Sequence, residues 1–115
     1  MKILSIIVVL IFIFIFAITT YANPPSAMYV DYDSAKQWLN VSVQHPVSDP
    51  KKHLIKTVTV FKNGQEVETR NFDFQTSHRD QTMTPFKIAA KSGDKFKVVA
   101  NCNKFGSGEK EIAVK

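Results

Sequence analysis

From Met28 onward the chain alternates hydrophobic and polar residues in short runs, each closed by a turn signal, and no run carries the 3.6-residue period of a helix. Met28 to Asp33 is the first run, turned back by Ser34-Ala35-Lys36-Gln37. Trp38 to His45 is the second. Successive side chains of a strand point to opposite faces, so Leu39, Val41, Val43 and His45 share one face and Asn40, Ser42 and Gln44 the other. His45 thus ends an apolar stripe. His53 to Lys62 is rich in β-branched residues, and the Asn63-Gly64 pair after it predicts a type I′ hairpin returning through Gln65 to Phe74. Thr82 to Ala89 is a fifth run, in which Pro85 predicts an edge position or a bulge. After the turn Lys91-Ser92-Gly93-Asp94, the run Lys95 to Cys102 sets Phe96, Val98, Ala100 and Cys102 on one face. Residues 109–115 close the chain with Ile112 and Val114 inward. Seven short antiparallel strands in about 90 residues predict an all-β protein, an immunoglobulin-like β-sandwich.

The first 22 residues break this pattern. Ile3 to Ile18 is apolar apart from Ser5, follows Lys2, and gives way to Thr19-Thr20-Tyr21-Ala22, the charged, apolar and small-residue order of a secretory signal. As a helix this run would rise about 24 Å against a hydrocarbon core of about 30 Å, short for a permanent span. Thr20 and Ala22 at the −3 and −1 positions predict cleavage after Ala22; an uncleaved leader would be a membrane anchor. Residues 23–115 then form one small exported domain, periplasmic, extracellular or anchored facing outward. At that size the loops must be short, which excludes large active-site insertions. The formal charge of the chain is +5, and Lys2 is the one charged side chain of the leader, so the domain carries +4. This basicity is spread along the strands as solvated lysines, and no basic-aromatic repeat points to nucleic acid.

Cys102 is the only cysteine, so an exported domain has no internal disulfide, and its thiol is buried and inert, paired with another molecule, or metal-bound. If consecutive strands run antiparallel, the loops at 46–52, 75–81 and 103–108 share one end of the sandwich. His45 and His53 flank the first, His78 sits in the second, and Cys102 opens the third. Imidazoles and a thiolate suit iron, copper or zinc and not calcium or magnesium. Each residue also has an ordinary reading: Cys102 as core, His45 as a strand cap before Pro46, His53 as a solvated loop end, His78 as surface. No phosphate-binding glycine loop, paired-carboxylate arrangement or Ser-His-Asp order is present, and Asp31 and Asp33 read as solvent-facing.

At these residues the sequence resembles the iron-binding domain of superoxide reductases, the desulfoferrodoxin and neelaredoxin group. The resemblance is carried by His45-Pro46, by His53-Leu54-Ile55, by the hairpin at Asn63-Gly64, and by Cys102-Asn103-Lys104-Phe105-Gly106 where the family has Cys-Asn-x-His-Gly. It spans about residues 39–115 and implies an immunoglobulin-like sandwich with a mononuclear iron held by histidines and a cysteinate. Carried over position by position, His45, His53 and Cys102 are the ligands, with His78 as an optional fourth. Phe105 stands at the position of the family's C-terminal histidine, and no histidine precedes His45 to match its first one. Three functions follow as expectations: an exported superoxide reductase-like metal site with a redox role and an electron-transfer partner; a non-catalytic binding or structural sandwich without metal; or a metal-free thiol carrier using Cys102. Contact with a membrane is expected only through an uncleaved leader.

Overall fold

The computed structural model describes residues 25–115; the leader expected over residues 1–22 lies outside them. Eight strands are present: β1 Ala27–Asp33, β2 Trp38–Gln44, β3 Ile55–Lys62, β4 Gln65–Asn71, β5 Asp80–Thr82, β6 Phe86–Lys87, β7 Lys95–Cys102 and β8 Ser107–Ala113. They form two antiparallel sheets. In the first, β2 pairs on one side with β1, in register from Ala27 opposite Gln44 to Asp33 opposite Trp38, and on the other with both β5 and β6. In the second the order is β4-β3-β7-β8. Leu39, Val41 and Val43 of β2 meet Val58 and Val60 of β3 and Phe96, Val98 and Ala100 of β7 in one buried core. The all-β sandwich read from the alternation is therefore the fold.

Two details depart from simple alternation. The single fifth strand expected over Thr82–Ala89 is two pieces, broken at Met83-Thr84-Pro85. Proline has no N–H to donate to the ladder on β2, so pairing lapses there and resumes at Phe86. Arg70, from the other sheet, fills the break: its guanidinium donates to the carbonyls of Thr84 and Pro85 and lies 3.8 Å over the Phe86 ring. In β3 a bulge between Ile55 and Thr57 inserts a residue, which keeps Ile55 buried on the same side as Val58 and Val60 although the spacing is odd.

The hairpin at Asn63-Gly64 has both residues at positive φ, 51° and 83°, as a type I′ turn requires. Asn63 also ties this turn to the next: its amide donates to Asp94 and accepts from the Lys95 N–H. The Lys91 N–H and the Asn63 amide, both donating to the Asp94 carboxylate, hold its pKa below the usual value. The turns at 34–37, 63–64 and 91–94 occupy one end of the sandwich. Loops 45–54, 72–79 and 103–106 occupy the other, joined by bonds from Val47 N to His78 O, Gln75 N to Pro50 O and Asn103 N to Leu54 O. The described chain also enters at this second end, where Ser26 N donates to Gln44 O.

Candidate metal centre

All four residues singled out by their chemistry lie at the second end, and three of them converge. One ligand atom from each of His45, His53 and Cys102 lies within 4.8 Å of the other two. Three atoms so spaced fit inside a circle of radius 4.8/√3, about 2.8 Å. Metal–nitrogen and metal–sulfur distances for zinc are about 2.0–2.1 and 2.3 Å, so closure requires inward shifts of well under about 1 Å. His78 is exposed and outside this group; it contributes its carbonyl to Val47 N. A cleft of about 370 Å³ on the outer face of the first sheet, lined by Tyr29, Asp31, Asn40, Ser42 and Lys110, holds none of the four.

Each of the three side chains is placed by the strand that precedes or follows it. His45 continues the inward stripe of β2 one residue beyond the strand and is 2% exposed. The ladder to the neighbouring segment continues through it, His45 N donating to Arg79 O at 2.8 Å. Cys102 ends β7 opposite Ile55. His53 leads into β3 from a turn closed by its N–H on Asp49 O. Asn103 then extends the β3–β7 ladder with its side chain: it accepts from Leu54 N at 3.0 Å and donates to Lys52 O at 2.8 Å, while its own N–H donates to Leu54 O. This staple holds residues 52–54 against the end of β7, and His53 Nε2 is consequently 3.1 Å from Cys102 Sγ in a hydrogen bond.

The group that orients His45 is Gln75, 3% exposed in the 72–79 loop. Its Nε2 donates to His45 O at 2.7 Å and Ser77 O at 2.9 Å, which fixes the amide so that Oε1 is the acceptor. Oε1 accepts the Ile55 N–H at 3.2 Å and lies 2.8 Å from His45 Nδ1. Nδ1 therefore carries a proton that it donates to this oxygen. A carbonyl oxygen on the non-ligating nitrogen is the usual outer partner of a metal-binding histidine. The two imidazoles meet edge to face, with centroids 4.8 Å apart.

Burial, and then the electrostatic influence of His45 and Lys104, lower the His53 pKa and so favour its neutral form. The Lys104 N–H donates to Cys102 Sγ at 3.4 Å, favouring electron density on the sulfur. Two imidazoles beside a thiol are the donor set of a soft to intermediate metal site. Sequence reasoning singled out the three side chains that converge but missed Gln75, a glutamine in a polar loop with no periodic signature, and gave Asn103 no role beyond the motif. The Cys-Asn pair was the available signal for the latter.

No family sequence model matches the chain, and no curated protein sequence does. Solved structures do match by shape. A superoxide reductase in the oxidized state is 17% identical, with a TM-score of 0.56, over 84% of this chain and 93% of that one. The superoxide reductase (neelaredoxin) from Ignicoccus hospitalis is 19% identical, with a TM-score of 0.52, over 79% of this chain and 80% of that one. Two four-stranded sheets, with a His, His, Cys group at the loop end and these likenesses over most of both chains, establish that this chain has the superoxide reductase fold in a divergent form.

Proposed function

We propose that this protein is an exported metal-binding domain with a redox role, holding one metal ion through His45, His53 and Cys102. The observation that carries the reading is the convergence of those three side chains, from two different sheets, on one point. The donor set fits iron, copper or zinc; iron is the metal that the family resemblance implies. Gln75 fixes the His45 ring through Nδ1, and the lowered pKa of His53 favours the neutral form that ligates. A bound iron or copper would supply one-electron transfer. Phe105, at the position of the family's C-terminal histidine, is 69% exposed and contributes no ligand, so the site has three protein ligands and open positions. Metal binding with at most weak superoxide turnover is the expected activity. Export is supported by the Lys2, Ile3–Ile18, Ala22 pattern of the leader.

The test is an anaerobic titration of the protein with Fe(II), Cu(II) or Zn(II). Stoichiometric binding is expected, with a thiolate-to-metal charge-transfer band for the coloured ions that Cys102→Ser abolishes. Binding that survives both Cys102→Ser and His45→Ala unchanged would overturn the reading, and metal at background in the parent protein would favour the metal-free sandwich. For export, residues 1–22 fused to a reporter active only outside the cytosol should give signal; a silent, stable fusion counts against it.

A further inference from the structure

The metal end of the sandwich carries an unusual surface that the metal does not explain. Phe105 and Phe74 are 69% and 60% exposed, the two most exposed phenylalanines of the core-poor loop end. Their positions follow from the hydrogen bonds that pin residues 50–54: Gln75 N donates to Pro50 O on one side, and Asn103 Nδ2 donates to Lys52 O on the other. Phe74 precedes the first pin and Phe105 follows the second by two residues, so they flank the exposed Lys51-Lys52 pair, with Lys104 exposed beside Phe105. Apolar rings at loop tips ringed by lysines match the needs of a bilayer interface, where rings enter the headgroup layer and ammonium groups meet anionic lipid. Asp73, next to Phe74, is 96% exposed and lies 3.5 Å from Lys56, so that pair adds no net charge to the face.

A second observation is independent of that surface. The described chain begins at this same end: Ser26 is bonded to Gln44, one residue from His45, and Pro25 packs on Gly108 so closely that an added Cβ would lie 2.8 Å from Pro25 Cγ. Six residues separate Ile18, the last of the apolar run, from Pro25. The seven Cα steps from Ile18 to Pro25 reach about 25 Å when fully extended, so a leader left uncleaved and held in a bilayer would tether the domain by the metal end.

We infer that the metal end is the membrane-proximal face, docking on an anionic bilayer with Phe74 and Phe105 in the interface and Lys51, Lys52 and Lys104 on the headgroups. Neither the surface nor the tether depends on whether metal is bound. The occupant is lipid because two separate features, the loop tips and the point of chain entry, both direct this end to the membrane.

Trp38 supplies an internal control, because it begins β2 and lies about 20 Å along the strand from Gln44, at the far end. The full chain is reconstituted into phosphatidylcholine–phosphatidylglycerol vesicles whose acyl chains carry bromine, a short-range quencher. Phe105→Trp and Phe74→Trp, each combined with Trp38→Phe, are expected to shift to the blue and lose at least half of their emission, while Trp38 of the parent is unaffected. Reversing Lys51, Lys52 and Lys104 to Glu leaves the leader intact and should abolish the quenching. Each lysine is worth about fivefold in binding to anionic lipid, so losing three amounts to about a hundredfold. Equal quenching at both ends would overturn the proposed orientation. Indicator tryptophans that remain open to acrylamide and untouched by brominated lipid would overturn membrane docking. Protection from acrylamide that arises only with added envelope protein would assign the face to a protein partner and overturn it as well. Circular dichroism of each variant confirms that the sandwich is folded.

Discussion

Replacing Gln75 by leucine, which has nearly its volume but no polar atoms, isolates what the amide does. The side chain makes four hydrogen bonds, with the His45 ring, the Ile55 N–H, the His45 carbonyl and the Ser77 carbonyl. The Ser77 carbonyl is partly exposed and can turn to water. The Ile55 N–H and the His45 carbonyl cannot, because Ile55 is fully buried and His45 is 2% exposed. A buried group left unsatisfied costs about 1–3 kcal/mol, so two of them, with the imidazole N–H in addition, give an expected loss of about 4 kcal/mol. That is a large share of the roughly 5–15 kcal/mol that holds a domain together, and corresponds to a fall in Tm of about 15–30 °C. Urea unfolding followed by Trp38 emission measures it. Gln75→Ala should cost less, since water can occupy the space and bond the same groups. Without Gln75 the His45 ring loses the acceptor that fixes its Nδ1 proton and its orientation, and metal affinity should fall about 10- to 100-fold. A Gln75→Leu protein within 1 kcal/mol of the parent would refute the hydrogen-bond accounting. Normal metal affinity in a destabilised variant would refute the tautomer role.

Asn103→Ala removes the side-chain bonds to Leu54 N and Lys52 O and should cost about 1–2 kcal/mol in urea unfolding, with a loss of metal affinity because His53 is no longer held to β7. His53 has a folded pKa below its ordinary 6.5. Between those two values the unfolded chain takes up the proton first, so stability is flat above about pH 6.5 and falls as pH drops towards the folded value; His53→Gln should remove that part of the slope in urea midpoints taken from pH 8 to 5. Asp94→Ala, at the far end, loses the contacts to Lys91 N and Asn63 and should lower the urea midpoint while leaving metal titrations unchanged. A shift in metal affinity there would indicate coupling along the whole sandwich.

Much of this arrangement was legible in the chain because it is written in period two. The stripes ending at His45 and Cys102 needed nothing beyond alternation, and Asn63-Gly64 announced its own positive φ values. The second end collected all four chemically distinctive residues, as antiparallel order implied. What alternation cannot express is a change of phase. The bulge between Ile55 and Thr57 is invisible in a run of β-branched residues that reads equally well without it, and the break at Pro85 was legible as a site of trouble but not as a lost stretch of ladder. The sheet partners were also not readable, since pairing is decided by burial across the sandwich. Gln75 was hidden for a different reason: its worth comes from four groups contributed by residues 45, 55 and 77, which only the fold brings together.

His45 belongs to the end of the first sheet, whereas His53 and Cys102 belong to the second. A metal seated among them would clasp the two layers at their loop end, a cross-link that antibody domains make instead with an intersheet disulfide in the core and that a single cysteine cannot supply. Such a clasp is reversible and answers to supply: at a free metal concentration a hundred times the dissociation constant it would add about 2.7 kcal/mol, and it would vanish on chelation. Amide hydrogens around residues 45, 54 and 102 should then exchange more slowly when metal is present, while those beside Asn63 and Asp94 keep their rates. The domain would thus be rigid at one end in proportion to the metal around it, so that metal availability would set how readily its loop end opens.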